Sequence, residues 1–400
     1  MKILAWTRGH FDVTFELINH LASGNDITLV IQTEKWVCGK TESVLELNIL
    51  QQPGVFSRTD AQFKLIAGER IRSLLDAKVQ VYIINYPSIR IKNPQNLQLI
   101  PKIIRMINSL DPDVIHVHGV NLHFLFLLPF LGKYKKIFTV HDYIPHSGEE
   151  AWQCTFFNRL IAKLRYPLIT GCAYQSRQFA RYYHIPLNRL AAIPFGALNT
   201  YAKWVARDVG EEESTVLFFG RISPYKGLEY LIKAEPLISE KVKNLKVIIA
   251  GDGDFLIYEN MIRNRSRYEI YNHYITNDLA AKFFQRASCV VLPYIDATQS
   301  GVIMTAYAFG KPVVVTDVGG LPEVVEHGET GFIVPPRNEF SLAQAITTVL
   351  KDYDLRKKMR NNIRSRVEKE FSWRQIAGQV VDVYQKAWLN QRSRHDIKTG

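Results

Sequence analysis

Short apolar runs alternate with helix-spaced segments along the whole chain. In the first half the runs span residues 1–6, 27–32, 79–85, 113–118, 136–141 and 168–172. Segments 13–22, 61–77, 96–110 and 174–183 between them space their apolar residues as a one-sided helix does. The second half repeats the alternation, with runs at 215–219, 245–250, 288–293, 312–316 and 331–334 and helical segments at 228–238, 278–286, 302–309 and 342–350. Val- and Ile-rich strands apolar on both faces, separated by helices, predict parallel sheets covered on each side. Two such sets predict an α/β protein with two sheets.

Each set reads as a Rossmann-like domain. The boundary is expected between the turn Ile193-Pro194-Phe195-Gly196 and Thr215, across the acidic stretch Arg207-Asp208-Val209-Gly210-Glu211-Glu212-Glu213. That divides the chain into residues 1–200 and 201–372, with a final helix over 373–391. Length agrees, since 400 residues at about 150 per domain allow two or three.

Composition changes the picture mainly by exclusion. A hydrophobic fraction of 47% with 22% charged residues belongs to an ordinary globular chain, which excludes disorder, a collagen-like fibre and a coiled coil. The apolar stretch 124–131 (FLFLLPFL) is broken by Pro129 and far shorter than the roughly 20 residues of a membrane span. Arg8, His10 and Asp12 arrive before any signal-like core forms, so a cytoplasmic location is expected, with the inner membrane face as a further option. Cys38, Cys154, Cys172 and Cys289 are scattered and read as free thiols. The net charge of +12 favours a polyanion: nucleic acid, an anionic membrane or a phosphorylated ligand. The basic residues are dispersed and accompany no nucleic-acid motif, which sets nucleic acid aside.

Open parallel sheets bind ligands at the carboxyl ends of their strands, so those loops carry the candidate chemistry. After 215–219 comes Gly220-Arg221-Ile222-Ser223-Pro224-Tyr225-Lys226-Gly227, two cations five positions apart before a helix. Arg221 as a fork, Lys226 as a point charge and the amides from Gly227 onward suit a diphosphate; two solvated surface cations are the bland alternative. Gly251 and Gly253 form a Gly-x-Gly turn that lets backbone approach a nucleotide. Ser300 can cap the helix that follows Gln299, with the amides of Gly301 and Val302 facing an anion or sugar hydroxyls.

Three stretches in this order, GRISPYKGLEYLIKA, IAGDGD and AFGKPVVVTDVGGLPEVVEHGETGFIVPP, resemble the nucleotide-sugar half of family 4 retaining glycosyltransferases, which have the GT-B fold. Asp113–His118 and the run Phe138-Thr139-Val140-His141-Asp142 resemble the other half more loosely. The resemblance implies that Gly220, Arg221, Lys226 and Gly227 hold the donor diphosphate. It implies that Gly251, Gly253, Tyr274 and Ile275 line the nucleotide, and that His141 lies by the donor sugar and β-phosphate. Gly9 and His10 form the N-terminal loop of the same site, and His118 and His146 are acceptor candidates. The final helix is expected to return to the first domain. The implied reaction moves a sugar, with retention, from a nucleotide diphosphate donor to a hydroxyl of a saccharide or lipid-linked saccharide, with no metal and no other cofactor. Basic residues and helix dipoles would stabilise the leaving diphosphate instead.

The family carries two glutamates eight positions apart, where this chain has Ala297 and Thr305. Asp296 is one position from the first, and Thr305 offers a single hydroxyl. The same altered motif, with HDYIPHSGE, IPFG and ATQSG, is similar to a subgroup of these transferases. Two other classes fit the same motifs: a GT-B isomerase of the nucleotide sugar, and a sugar-nucleotide-binding protein without turnover. His116 and His118 share one strand face but lack a third ligand, which favours a structural or lining role over a metal site. Segment 122–136, apolar then basic, reads as a core helix rather than one dipping into a membrane surface.

Overall fold

The structure, a computed structural model, describes residues 1–34, 53–60, 71, 73–88, 90–91, 93–144 and 152–396, side chains from 388 onward excepted. The first sheet contains β1 (Lys2–Thr7), β2 (Asp26–Glu34), β3 (Gly54–Ser57), β4 (Gln80–Tyr86), β5 (Val114–His118), β6 (Lys135–Val140), β7 (Leu168–Thr170) and β8 (Leu190–Ala192). Their order is β3-β4-β2-β1-β5-β6-β7-β8, parallel throughout except for the edge strand β3. The second sheet contains β9 (Thr215–Phe219), β10 (Lys246–Ala250), β11 (Tyr268–Tyr271), β12 (Cys289–Leu292), β13 (Val313–Thr316) and β14 (Gly331–Val334). Its order is β11-β10-β9-β12-β13-β14, all parallel.

Both sheets reverse direction of strand order beside their first strand: between β1 and β5 in one, between β9 and β12 in the other. Loops diverge at such a switch point and leave a crevice. The crevices hold the loops after β1, β5, β9 and β12, with His10, Arg221, Lys226 and Ser300 among their residues; His141 follows β6, and Gly251 and Tyr274 follow β10 and β11.

The helices that matter below are α1 (Phe11–Leu21), α2 (Ile100–Leu110), α3 (Trp152–Lys163), α4 (Ala173–Tyr183), α5 (Leu228–Ser239), α6 (Asn277–Arg286), α7 (Gly301–Ala308), α8 (Glu339–Lys351), α9 (Tyr353–Lys369) and α10 (Trp373–Asp396). α10 leaves the second half and packs on α1 and β6 of the first. Trp373 donates its indole N–H to the Ala197 carbonyl at 2.7 Å, and the buried Tyr384 hydroxyl meets His116 Nδ1 at 2.7 Å. Apolar residues from both halves, including Phe11, Ile18, Met304, Ile376 and Val380, form one continuous core.

Two helical expectations need correction. Segment 96–110 is not one helix: a short turn Pro94–Leu97 precedes α2, which restarts at Ile100 with Pro101 in its first turn. Segment 122–136 is not a core helix either. It forms a four-residue turn capped by Asn121, then a short 3-10 turn around Pro129, and its last residues enter β6. Lys136 is buried there, its ammonium donating to the Leu131 and Tyr134 carbonyls, and burial pushes its pKa down to about 8. The helical expectation at 61–77 falls largely outside the described residues. No helix among the described residues is long and apolar enough to cross a membrane.

Candidate active site

At the carboxyl end of the first sheet four histidines gather from three strands. His10 caps α1 with left-handed backbone (φ 53°), and its ring stacks on His141, centroids 3.7 Å apart and 23° from parallel. Gly119 makes room for the pair: with φ +73°, a Cβ there would lie 3.3 Å from the His141 ring and 3.7 Å from the His10 ring. His116 and His118 lie one layer below, with ring centroids 4.0 Å apart. His116 is fully committed, to Tyr384 at Nδ1 and to the Thr139 hydroxyl at Nε2. The Nε2 atoms of His118 and His141 are buried and make no hydrogen bond.

Burial sets the charge of this cluster. It pushes His116 down to about 3, helped by His141. It holds His118 and His141 well below the ordinary imidazole range, with the neighbouring histidines adding to the effect. All three are therefore neutral at pH 7, and His118 and His141 can each offer or accept one hydrogen bond at the unbonded Nε2. Of the acceptor candidates, His118 is buried beneath its neighbours, and His146 lies outside the described residues.

The second sheet supplies the cations. Lys226 ends a 3-10 turn and is buried, its ammonium 5.2 Å from the centre of the Tyr294 ring. The ammonium sits over Gly220, where a Cβ would come within 2.8 Å of it. Gly227 follows in the left-handed region (φ 63°) and opens α5; a Cβ there would strike the Pro293 carbonyl at 2.0 Å. Arg221 is exposed and engages the Tyr225 hydroxyl, whose pKa burial raises. Ser300 caps α7, accepting from the Val302 amide at 3.3 Å, and Val302 packs beside Gly220.

The other sequence candidates divide. Gly251 and Gly253 are required by loop packing, since a Cβ at either would meet the Gly220 or Ile222 carbonyl at 2.0 or 2.1 Å. Tyr274 is exposed and Ile275 buried beside it at the β11 end of the sheet. Thr305 is buried and donates its hydroxyl to the Gly301 carbonyl of its own helix at 3.1 Å. At Ala297 the backbone is pressed against Gly319, where a Cβ would lie 1.8 Å from the Ala297 carbonyl. Asp296 turns towards the first half, where its charge and, before it, burial and Tyr174 push the Tyr143 phenol up to about 12.

The two halves touch directly around these loops. Gln299 fills the space above Gly171, where a Cβ would be 1.7 Å from its carbonyl oxygen. Glu323 accepts from the amides of Ala173 at 2.7 Å and Tyr174 at 2.5 Å, the first turn of α4, and pairs with Arg177 at 3.2 Å. A carboxylate at a helix N-terminus is favoured by the exposed amides and the dipole. Sequence reasoning assigns no role to Glu323, because its partners lie 150 and 149 positions away. Gly9 accepts the Thr7 hydroxyl and shapes the turn that presents His10.

Two α/β domains with ligand loops meeting at their switch points define a GT-B architecture. Solved structures share it: sucrose-phosphate synthase of Thermosynechococcus elongatus superimposes with TM-score 0.67 at 18% identity, covering 98% of this chain and 100% of that one. HepE of Anabaena in complex with UDP does so with TM-score 0.65 at 17% identity, covering 96% and 100%. Residues 13–197 match the family described as Glycosyltransferase Family 4, and residues 213–352 match Glycosyl transferases group 1. The chain belongs to the family 4 glycosyltransferases. An uncharacterized glycosyltransferase of Methanocaldococcus jannaschii is 36% identical over 185 residues, 45% of this chain and 46% of that protein. The chain thus matches about half the length of the first curated relatives.

Proposed function

We propose that this protein transfers a sugar from a nucleoside diphosphate donor to a hydroxyl of a saccharide or lipid-linked saccharide, with retention and without a divalent metal. One observation carries the reading: the Lys226 ammonium is buried over Gly220 at one switch point, and His141 presents an unbonded Nε2 at the other. The Anabaena protein of the same fold is in complex with UDP, which makes uridine diphosphate sugars the first donors to try.

In this reading Lys226 and Arg221 take the diphosphate, with the Gly301 and Val302 amides at the start of α7 adding the helix dipole. The bond from the anomeric carbon to the β-phosphate oxygen breaks as the acceptor oxygen bonds to the same face. The departing phosphate receives the acceptor proton. His141, neutral, donates to a sugar hydroxyl or to the β-phosphate as charge develops there. Such a contact acts mainly on the transition state.

Ala297 and the self-bonded Thr305 favour one competing reading, a sugar-nucleotide-binding protein without turnover. Incubation with labelled UDP-, GDP- and other nucleotide sugars and a panel of saccharide acceptors separates the two. The transferase reading expects a glycoside with the donor's anomeric configuration, formed equally in EDTA. Binding without product across the panel overturns it, and activity lost in EDTA and restored by magnesium overturns the metal-free part alone.

A further inference from the structure

We propose that α3 docks the protein on an anionic lipid surface. One side of this helix enters the core through Cys154, Phe157, Asn158 and Ile161. The opposite side carries Trp152, Phe156, Arg159 and Lys163, all exposed. At about 100° per residue these four fall within a stripe roughly 60° wide. Trp152 is 67% exposed and Phe156 52%, their ring centres 6.3 Å apart. Beyond the helix the exposed Leu164 and Arg165 continue the same mixture, and α4 adds exposed Arg181 and Tyr182.

Adjacent aromatic rings left in water on a helix face mark a contact surface. Charge selects the partner. Residues 151–207 contain eight Lys and Arg and not one Asp or Glu. Indole and phenyl rings beside guanidinium and ammonium groups match a bilayer interface, where rings sit at headgroup depth and cations meet lipid phosphates. This surface is not segment 122–136, whose Lys136 is buried. Asn158 of α3 donates to the Asp142 carbonyl at 2.8 Å, so the docked helix is tied to the segment that leaves His141. The inference does not depend on the reaction proposed above.

Sedimentation of the full chain with phosphatidylcholine vesicles, with and without about one-third phosphatidylglycerol, tests it. The parent is expected to sediment with the anionic vesicles only, and less as salt is raised. Trp152→Ser with Phe156→Ser, and separately Arg159→Gln with Lys163→Gln, should each weaken binding about tenfold or more. Lys357→Gln with Lys369→Gln removes the same charge from exposed positions on α9 and should leave binding unchanged. Thermal melting of every variant shows that it is folded. Absence of the parent from the anionic pellet overturns the proposal. So does equal binding by folded α3 variants, or an equal loss in the α9 control, which would assign the effect to net charge.

Discussion

His10 and His141 lie face to face, rings 3.7 Å apart, although 131 positions separate them in the chain (141 − 10 = 131). The stack fixes the His141 ring plane, and with it the direction of its free Nε2, before any ligand arrives. His141→Ala is therefore expected to fold, to bind UDP within a few-fold of the parent, and to lose about two orders of magnitude or more in turnover. Melting temperature, calorimetric affinity and rate, measured on one preparation, check this. Near-parental turnover removes His141 from the chemistry.

Lys226→Ala should weaken UDP binding by about 1.5–3 kcal/mol, the worth of a charge-assisted contact to a buried phosphate. Arg221→Ala should cost less, because Arg221 is exposed and screened. Titration calorimetry gives both values. Unchanged affinity in both variants moves the diphosphate elsewhere.

Neutral buried histidines tie stability to pH. His116, His118 and His141 have depressed folded pKa values, so below about 6.5 the unfolded chain binds more protons than the native one. Their stabilisation is complete above that pH and is lost as pH falls, at up to about 1.4 kcal/mol per unit for each. The depressed carboxylates Glu34, Glu212 and Glu269 lose their contribution only at lower pH, below the usual carboxylate value of 4.5. Glu16, raised by burial, works the other way and can offset one proton at most. Denaturant unfolding at pH 7 and pH 5.5 should show a clear loss, and a flat profile between them contradicts the neutral assignment.

Two glycines should respond with opposite sign. At Gly319, with φ +59°, a Cβ would lie 1.8 Å from the Ala297 carbonyl, so Gly319→Ala should destabilise by about 2 kcal/mol or more. At Gly378, exposed on α10, a Cβ meets nothing within 4 Å, so Gly378→Ala should stabilise by about 0.5–1 kcal/mol. Chemical denaturation of the pair measures both.

Glu323→Gln keeps the shape of the side chain and removes its charge from the α4 amides and Arg177. Small-angle scattering should report a larger radius of gyration than the parent's, as the contact between halves weakens. An identical radius assigns the closed arrangement to the shared apolar core instead.

The strands were legible wherever they are apolar on both faces. Thr215–Phe219 coincides with the run read from sequence and Val313–Thr316 lies within the run 312–316, because buried parallel strands leave an unbroken apolar signal. The edge strands Gly54–Ser57 and Tyr268–Tyr271 left none, being short and half-exposed, and paired by contacts far along the chain. In the candidate site, the Gly220–Gly227 loop could be read because its cations and glycines are contiguous. The reason for Gly251 could not, since it is the Gly220 carbonyl 2.0 Å from a would-be Cβ. The acid-free face of α3 was in the sequence but mute, because exposure is decided by which side of a helix the core takes.

The return of α10 sets how the two halves can be exchanged between relatives. Tyr384 closes over His116, and Trp373 over Ala197, so the floor of the first domain is built from the far end of the chain. A hybrid joined in the 207–213 linker would seat a foreign helix on α1 and β6. Recombination should respect modules rather than sequence order: residues 1–206 travel with 373–396, and the second sheet is the insert between them.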